Sequence, residues 1–525
     1  MEIAGSSSAS DASATMGPKQ VAESVRATYD NEDDFEMTEG AVAKKWQGTA
    51  ADRRDMSALG RVQELRRNFQ FLGILGFACT LIATWEVIVT TLGTSLTDGG
   101  TAGLLWGFII VFIGFSFVYL SVAEMVSMAP TSGGQYHWVS EFAPPASQKI
   151  LSYIVGWLCF TGWQCAITSI TFLAGSTIQG LIILNDPTYV PKQWHATLLI
   201  IALTVFMLHV LGLFAIIITL WVLAPRADAY TVWTEFTNGG NWNSDGTATL
   251  VGLAAPIISL IGFDCAVHMS EEVKDASSTL PKAMLWSFGF NASLGFIMAV
   301  TICFTVGDVT EVLNSATASP IIQIFFNTTQ SYAGASILTV IIVLTLTSAA
   351  IAEVATASRQ LWSFARDKGI PGHRLIGHIT PKSNIPLNAV LVSLTVTSLL
   401  SLINIGSTTA LNAILALTVV SLLCSYMIVI SLVILRRVRG QSLPSRRFNL
   451  GRMGLPINIL AMCYLMPIFV FAFFPVTSTV TPESMNWAIV MFGGIMGFAL
   501  VWYFIWGHKE YVPPVALVKR QEYED

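Results

Sequence analysis

The chain has 525 residues, of which 53% are hydrophobic and 12% charged, with mean hydropathy +0.62. Soluble domains carry about 25% charged residues, so this composition excludes a string of soluble domains and points to an all-α polytopic membrane protein. The net charge of −5 excludes little, because membrane orientation depends on where Lys and Arg sit rather than on their sum.

The chain opens on Met1-Glu2-Ile3-Ala4 followed by Ser and Ala. This is neither a basic n-region nor an apolar h-region, so no cleaved signal peptide is expected. Residues 1–68 are polar, acidic at Asp30–Glu36 and basic at Arg53–Arg67. Such composition buries no core, and a disordered cytoplasmic tail is predicted.

Apolar segments of membrane length follow at Leu72–Leu92, Leu104–Met125, Leu151–Leu184, Leu250–Met269, Leu285–Val306, Ile337–Ala357, Ala389–Ile405, Leu411–Leu435, Ile457–Phe474 and Trp487–Trp506. Basic residues cluster at Arg53–Arg67, Arg359–Lys382, Arg436–Arg452 and His508–Arg520. The positive-inside rule makes these segments, and both termini, cytoplasmic. The stretch Gly307–Ser331 has no basic residue and carries Asn327-Thr328-Thr329, a candidate N-glycosylation acceptor on the outside.

Parity fails at Ala196–Ala224. Counting from either side puts both flanks of this run outside, so it must cross an even number of times, yet two helices need roughly 40 residues. One long helix, a re-entrant hairpin and a missing segment near Met207–Val210 are the alternatives, and the missing segment is favoured.

The seven cysteines lie in apolar segments without paired spacing, as reduced core residues do. Without a phosphate-cradling Gly-x-x-x-x-Gly-Lys-Ser/Thr, a His-Glu-x-x-His or a basic domain, the sequence predicts no enzyme, no metal, no cofactor and no nucleic-acid partner. Its partners are the lipid bilayer and a small molecule. The chemistry-bearing residues are carboxylates and imidazoles at membrane depth, which are functional by default because burying them is costly. Gly262-Phe263-Asp264, followed by His268, interrupts one apolar segment, and Thr84-Trp85-Glu86 interrupts the first. Transporters place substrate sites at such paired breaks. Glu86, Asp264 and His268 are therefore proton-coupling candidates, and Trp85 could hold a cation on its π-face. Each also has a structural reading, as a hydrogen-bonded or packed core residue. Glu124, near a helix end, suits a structural role, and Glu353 suits either a vestibule or the core.

Four motifs carry a family resemblance. These are Pro130-Thr131-Ser132-Gly133-Gly134-Gln135-Tyr136-His137-Trp138; Gly262-Phe263-Asp264 with Ser270-Glu271-Glu272-Val273-Lys274 and Leu280-Pro281; Ser358-Arg359-Gln360-Leu361-Trp362 with Phe364–Pro371; and Phe448-Asn449-Leu450-Gly451-Arg452 before Asn458. Over roughly residues 70–514 the chain resembles the amino acid/polyamine/organocation permeases, in the fungal branch that includes GABA and choline permeases. The resemblance implies an inverted-repeat fold of five plus five helices with helices 1 and 6 broken, then two extra helices. On this chain the repeats would be 69–225 and 247–435, the extra pair 455–507 and a cytoplasmic tail 508–525. The resemblance also implies a substrate held at the breaks by Thr84, Trp85, Glu86, Gly262, Phe263 and Asp264, commonly with proton symport. Against the family pattern, the helix 4/5 region is short by about 20 residues, judged by the length two spans need. Trp85 and Glu86 replace a Gly/Ser-rich first break, which favours an amine end: GABA, choline, a polyamine or a basic amino acid. The plasma membrane is expected rather than the vacuolar one. The shortened region leaves a non-transporting nutrient sensor or inactive paralogue as the alternative, and a facilitative channel as a third reading.

Overall fold

The computed structural model describes residues 46–185 and 209–518, apart from 318, 381–383, 407–409 and 483. The expected shortening at Met207–Val210 lies mostly outside the described residues, which resume at His209. Among the described residues, nine helices are long and apolar enough to cross a membrane, and Gly212–Leu223 and Leu387–Leu402 are shorter apolar helices. Apolar side chains such as Ile110, Phe290, Leu394 and Phe498 stand exposed on the outer surface. An exposed apolar belt is what lipid, rather than water, stabilises.

In chain order the elements used below are α1 (Ala50–Ala58), α2 (Phe71–Ile82), α3 (Thr84–Thr97), α4 (Gly100–Met128), α5 (Gln135–Phe142), α6 (Gln148–Asn185), α7 (His209–Leu223), α8 (Ala254–Leu260), α9 (Cys265–His268), α10 (Ala276–Thr305), α11 (Pro320–Thr329), α12 (Tyr332–Arg366), α13 (Leu387–Gly406), α14 (Ala410–Val438), α15 (Gly454–Phe471) and α16 (Ala488–Trp502).

The first span is broken between α2 and α3 by Ala83, whose φ of 46° and ψ of 47° are left-handed. This conformation costs a non-glycine residue about 1–2 kcal/mol. The second break separates α8 from α9 at Ile261-Gly262-Phe263, where Gly262 has φ 95°. α8 packs on α3 and α9 on α2, so the two broken spans run antiparallel, as an inverted repeat requires. Each is followed by an intact span (α4, α10) and then by a very long helix (α6, α12). The 38 and 35 residues of α6 and α12 correspond to about 57 and 52 Å. They must tilt to fit a hydrocarbon layer of about 30 Å, and each packs more on the other than on any other helix.

One end of the bundle is rich in Arg and is called here the basic end. There Phe69 bridges Val273, with the Phe69 amide donating to the Glu272 carbonyl at 3.0 Å. At the opposite end Asp98 bridges Asn238.

One tail expectation needs correcting. Residues 46–68, predicted to be disordered, fold in their described part. Thr49 and Asp52 form a capping box on α1, and Met56, Leu59 and Leu65 are buried. The Asp52 carboxylate accepts the Asp275 and Ala276 amides at 2.8 and 3.0 Å. It also pairs with Arg67 at 3.2 Å. Composition averaged over the tail hides these few apolar anchors. In the described part of 508–525, Tyr511 is buried against Tyr153 and Phe364.

Candidate functional site at the paired helix breaks

Opening a helix inside a membrane frees backbone groups that water cannot reach. At the α8–α9 break, Tyr119 on α4 meets them. Its hydroxyl donates to the Leu260 carbonyl at 2.9 Å and accepts the Phe263 amide at 3.4 Å. Phe263 is buried edge-on against Tyr119 and Phe288, with ring centroids 5.6 and 5.2 Å apart.

Asp264 is fully buried and bound by two scaffold groups. The Gln135 amide donates to its Oδ2 at 2.5 Å, and the Tyr426 hydroxyl donates to its Oδ1. The carboxylate thus ties the broken span to α5 and α14. His268 Nε2 lies 3.4 Å from Asp264, but it receives the Trp163 indole N–H at 2.9 Å. An indole nitrogen only donates, so Nε2 must accept. Nδ1–H then donates to the Ser132 carbonyl at 2.9 Å. This pattern holds a neutral Nδ1–H imidazole, and His268 and Asp264 are not an ion pair. The loop carrying Ser132 and Gln135 is itself buried.

Glu86 sits fully buried in the first turn of α3, where the helix N-terminus favours a negative side chain. Trp85 and Thr84 are equally buried, and Thr84 meets α10 at Gly295, where an added Cβ would come within 2.6 Å of its methyl.

Between the breaks lies a cavity of about 40 Å³ walled by Ile82 and Val87, Trp163 and Ser169 on α6, Ile258 and Gly262, Glu353 on α12, and Leu415 and Thr418 on α14. This is room for one or two waters, so the cavity is contracted. Of the residues predicted to hold substrate, only Gly262 lines it. Thr84, Trp85, Glu86, Phe263 and Asp264 surround it as packed or hydrogen-bonded neighbours. Sequence reasoning missed Trp163, Gln135 and Tyr426. Gln135 stood inside a motif already singled out, while nothing local marks the other two.

Toward the opposite end is a larger hollow of about 110 Å³, walled by Thr91, Thr94, Val251, Phe471, Phe474 and Asn486 among others. Ile258 and Leu415 line both spaces, so these two aliphatic side chains stand between them.

The basic end is sealed by charge. Glu271 takes two hydrogen bonds from Arg366, at 2.9 and 3.0 Å. Arg359 holds Glu272 at 2.8 Å, and Arg61 holds Asp367 at 2.5 Å. Glu124 is held by Arg437, and by Arg446 at 2.8 Å, the structural role predicted for it. Burial pushes the Glu271 carboxyl up, but the adjoining Arg366, with Arg61 and Arg67 behind it, wins and holds it below the usual range. Asp52 behaves alike: burial raises it, and Arg67 with three backbone amides brings it below 3.8.

Asn327, the glycosylation candidate, lies in the last turn of α11, and its amide nitrogen donates to Glu311 at 3.2 Å. Among the described residues no cluster of His, Cys, Asp and Glu could hold a metal.

A family model described as amino acid permease matches residues 69–212 and 204–495. The chain belongs to the amino acid permease family. It is an integral, multi-pass membrane transporter and not an enzyme. The match comes in two pieces that overlap at 204–212, beside the junction where the sequence predicts a missing segment. The permease is 28% identical over 483 residues to a choline transporter of Saccharomyces cerevisiae, covering 87% of this chain and 85% of that one. It is 27% identical over 491 residues to amino-acid permease 2 of Neurospora crassa, covering 89% and 90%. Among solved structures, a manganese transporter of Eremococcus coleocola aligns at 14% identity with TM-score 0.47, over 83% of this chain and 95% of that one.

Proposed function

We propose that this permease imports an amine-bearing small molecule, either an organic cation such as choline or an amino acid such as GABA, by alternating access. The observation that carries this reading is a small cavity at two antiparallel helix breaks, with Ile258 and Leu415 between it and a larger hollow on one side and buried ion pairs on the other. That asymmetry suits a transporter that opens more readily away from the basic end. The basic end and both termini would face the cytoplasm, by the positive-inside rule, and the plasma membrane suits an importer. The choline transporter among the relatives supports the amine class.

Proton symport would use a buried carboxylate. Asp264 is suited because protonation would remove the negative acceptor that binds Gln135 and Tyr426, loosening the broken span from α5 and α14. Glu86 is the second candidate. His268, committed on both nitrogens, would act as a positioning group for Trp163. Glu86→Gln should abolish uptake of labelled choline or GABA into proteoliposomes while the protein still reconstitutes. Unchanged uptake would sink the Glu86 role.

The two-piece family match keeps a second reading alive, a nutrient sensor that binds without carrying. Wild-type protein separates the readings, since ligand binding without flux favours the sensor. Flux that is indifferent to an imposed pH gradient would favour uncoupled passage.

A further inference from the structure

The cavity contains one carboxylate that the scheme above does not use. Glu353 lines the space between the breaks, with only 8% of its surface exposed. Its Oε2 has no hydrogen-bond partner among the described residues, whereas Asp264 is filled by Gln135 and Tyr426. The other polar side chains on the wall already have hydrogen-bond partners. Trp163 donates to His268, and Ser169 and Thr418 bond each other at 3.3 Å. Among the described residues, no Lys, Arg or His lines the cavity, and the only acidic or basic side chain on its wall is therefore this single acid. What remains is one side of the Trp163 ring and a set of aliphatic side chains.

We propose that Glu353 is the counter-charge for the substrate, and that the cavity is built for an alkylated organic monocation rather than a zwitterion. This rests on the permease reading. A carboxylate left alone at this depth is costly, so an arriving cation that lacks strong hydration gains a partner and stabilises the ionised acid, any proton on Glu353 leaving to water as the pair forms. Indole and aliphatic walls suit the methyl groups of a quaternary ammonium. An ordinary ammonium would find the Ser169 and Thr418 oxygens beside the acid and would leave its remaining N–H donors facing Leu, Ile and Ala. A substrate carboxylate would meet no cationic side chain. The cavity is too small as it stands, and parting Ile258 from Leu415 would merge it with the outer hollow.

The test is equilibrium binding of labelled choline to the purified full-length protein. Competitors are 3,3-dimethylbutan-1-ol, in which carbon replaces the charged nitrogen, and GABA. Wild-type protein should prefer choline to the uncharged isostere by at least about tenfold, since a desolvated charge pair is worth that much. Glu353→Gln should remove most of that preference by weakening choline while leaving the isostere unchanged, and Glu353→Asp should restore part of it. Equal competition by the isostere in wild-type protein overturns the proposal even if no variant folds, and so does a Glu353→Gln protein with unaltered choline affinity. Wild-type protein that carries GABA and ignores choline leaves the permease reading standing and removes the cation site. Choline binding without flux does the reverse.

Discussion

Replacing Glu271 with alanine should open the basic end of the permease. Glu271 is 1% exposed and accepts two hydrogen bonds from Arg366, whose side chain is 13% exposed. Removing one member of such a pair leaves the other charge buried and costs about 3–5 kcal/mol. Arg366 keeps some compensation, with Glu64 at 3.6 Å and the Trp362 ring at 4.3 Å, so the lower figure applies. If the pair exists only in the closed state, about 3 kcal/mol shifts the closed-to-open ratio roughly a hundredfold. Cys265 reports the change. It is fully buried on α9, just inside the seal, so its alkylation by a small maleimide, followed by peptide mass spectrometry, should accelerate strongly in Glu271→Ala. Adding Arg366→Met removes the stranded charge and should slow alkylation again. An alkylation rate for Cys265 within about twofold of wild type, in folded Glu271→Ala protein, would refute the idea that this pair holds the gate.

Further outcomes follow from the breaks and from the Asp52 carboxylate that holds the start of α10. Gly262 adopts φ 95°, and a Cβ there would find only ordinary contacts at 3.5 Å from Ile82 and Trp163. Gly262→Ala should therefore destabilise through the backbone alone, by about 1–2 kcal/mol, whereas Ala83→Gly should stabilise by up to about 1 kcal/mol; thermal unfolding in detergent measures both. Asp52, held below the usual 3.8, contributes stability that is fully present above that value and is lost as pH falls through the lower folded one. Hydrogen exchange at the Asp275 and Ala276 amides, corrected for intrinsic rates, should stay flat from neutral pH to about pH 4.5 and rise only in stronger acid. Loss of protection near neutrality would contradict it.

The breaks were legible because each interrupts an apolar run with residues that resist burial. The first was placed within a residue of Ala83, since Thr84–Glu86 is the polar stretch that follows it. The partners were not legible. Gln135, Tyr426 and Trp163 reach Asp264 and His268 across 129, 162 and 105 residues of sequence, and only the folded bundle brings them together. Phe263 sits beside a break and reads as a substrate contact, yet it turns into aromatic packing because Tyr119 occupies the break. Glu353 stood out as a carboxylate. Its spacing from Arg359 suggested a vestibule at the basic end, but Arg359 is spent on Glu272 there and the helix carries Glu353 inward to the cavity. The folded stretch 46–68 was hidden for a similar reason, because Asp52 and Arg67 count as solubilising charges until they meet each other and the start of α10.

The two barriers around the cavity also answer to different solvents. Ile258 and Leu415 separate two apolar spaces, and the free energy of parting them depends on hydrated area, which ordinary ionic strength hardly touches. The other barrier is a lattice of Arg, Glu and Asp whose paired side chains are mostly buried, so dissolved ions act on them chiefly once the pairs part and face water. Raising salt should therefore act like a hand on one door only. Opening at the basic end should quicken while the aliphatic door keeps its own rate, so the medium itself can shift the direction in which the permease waits.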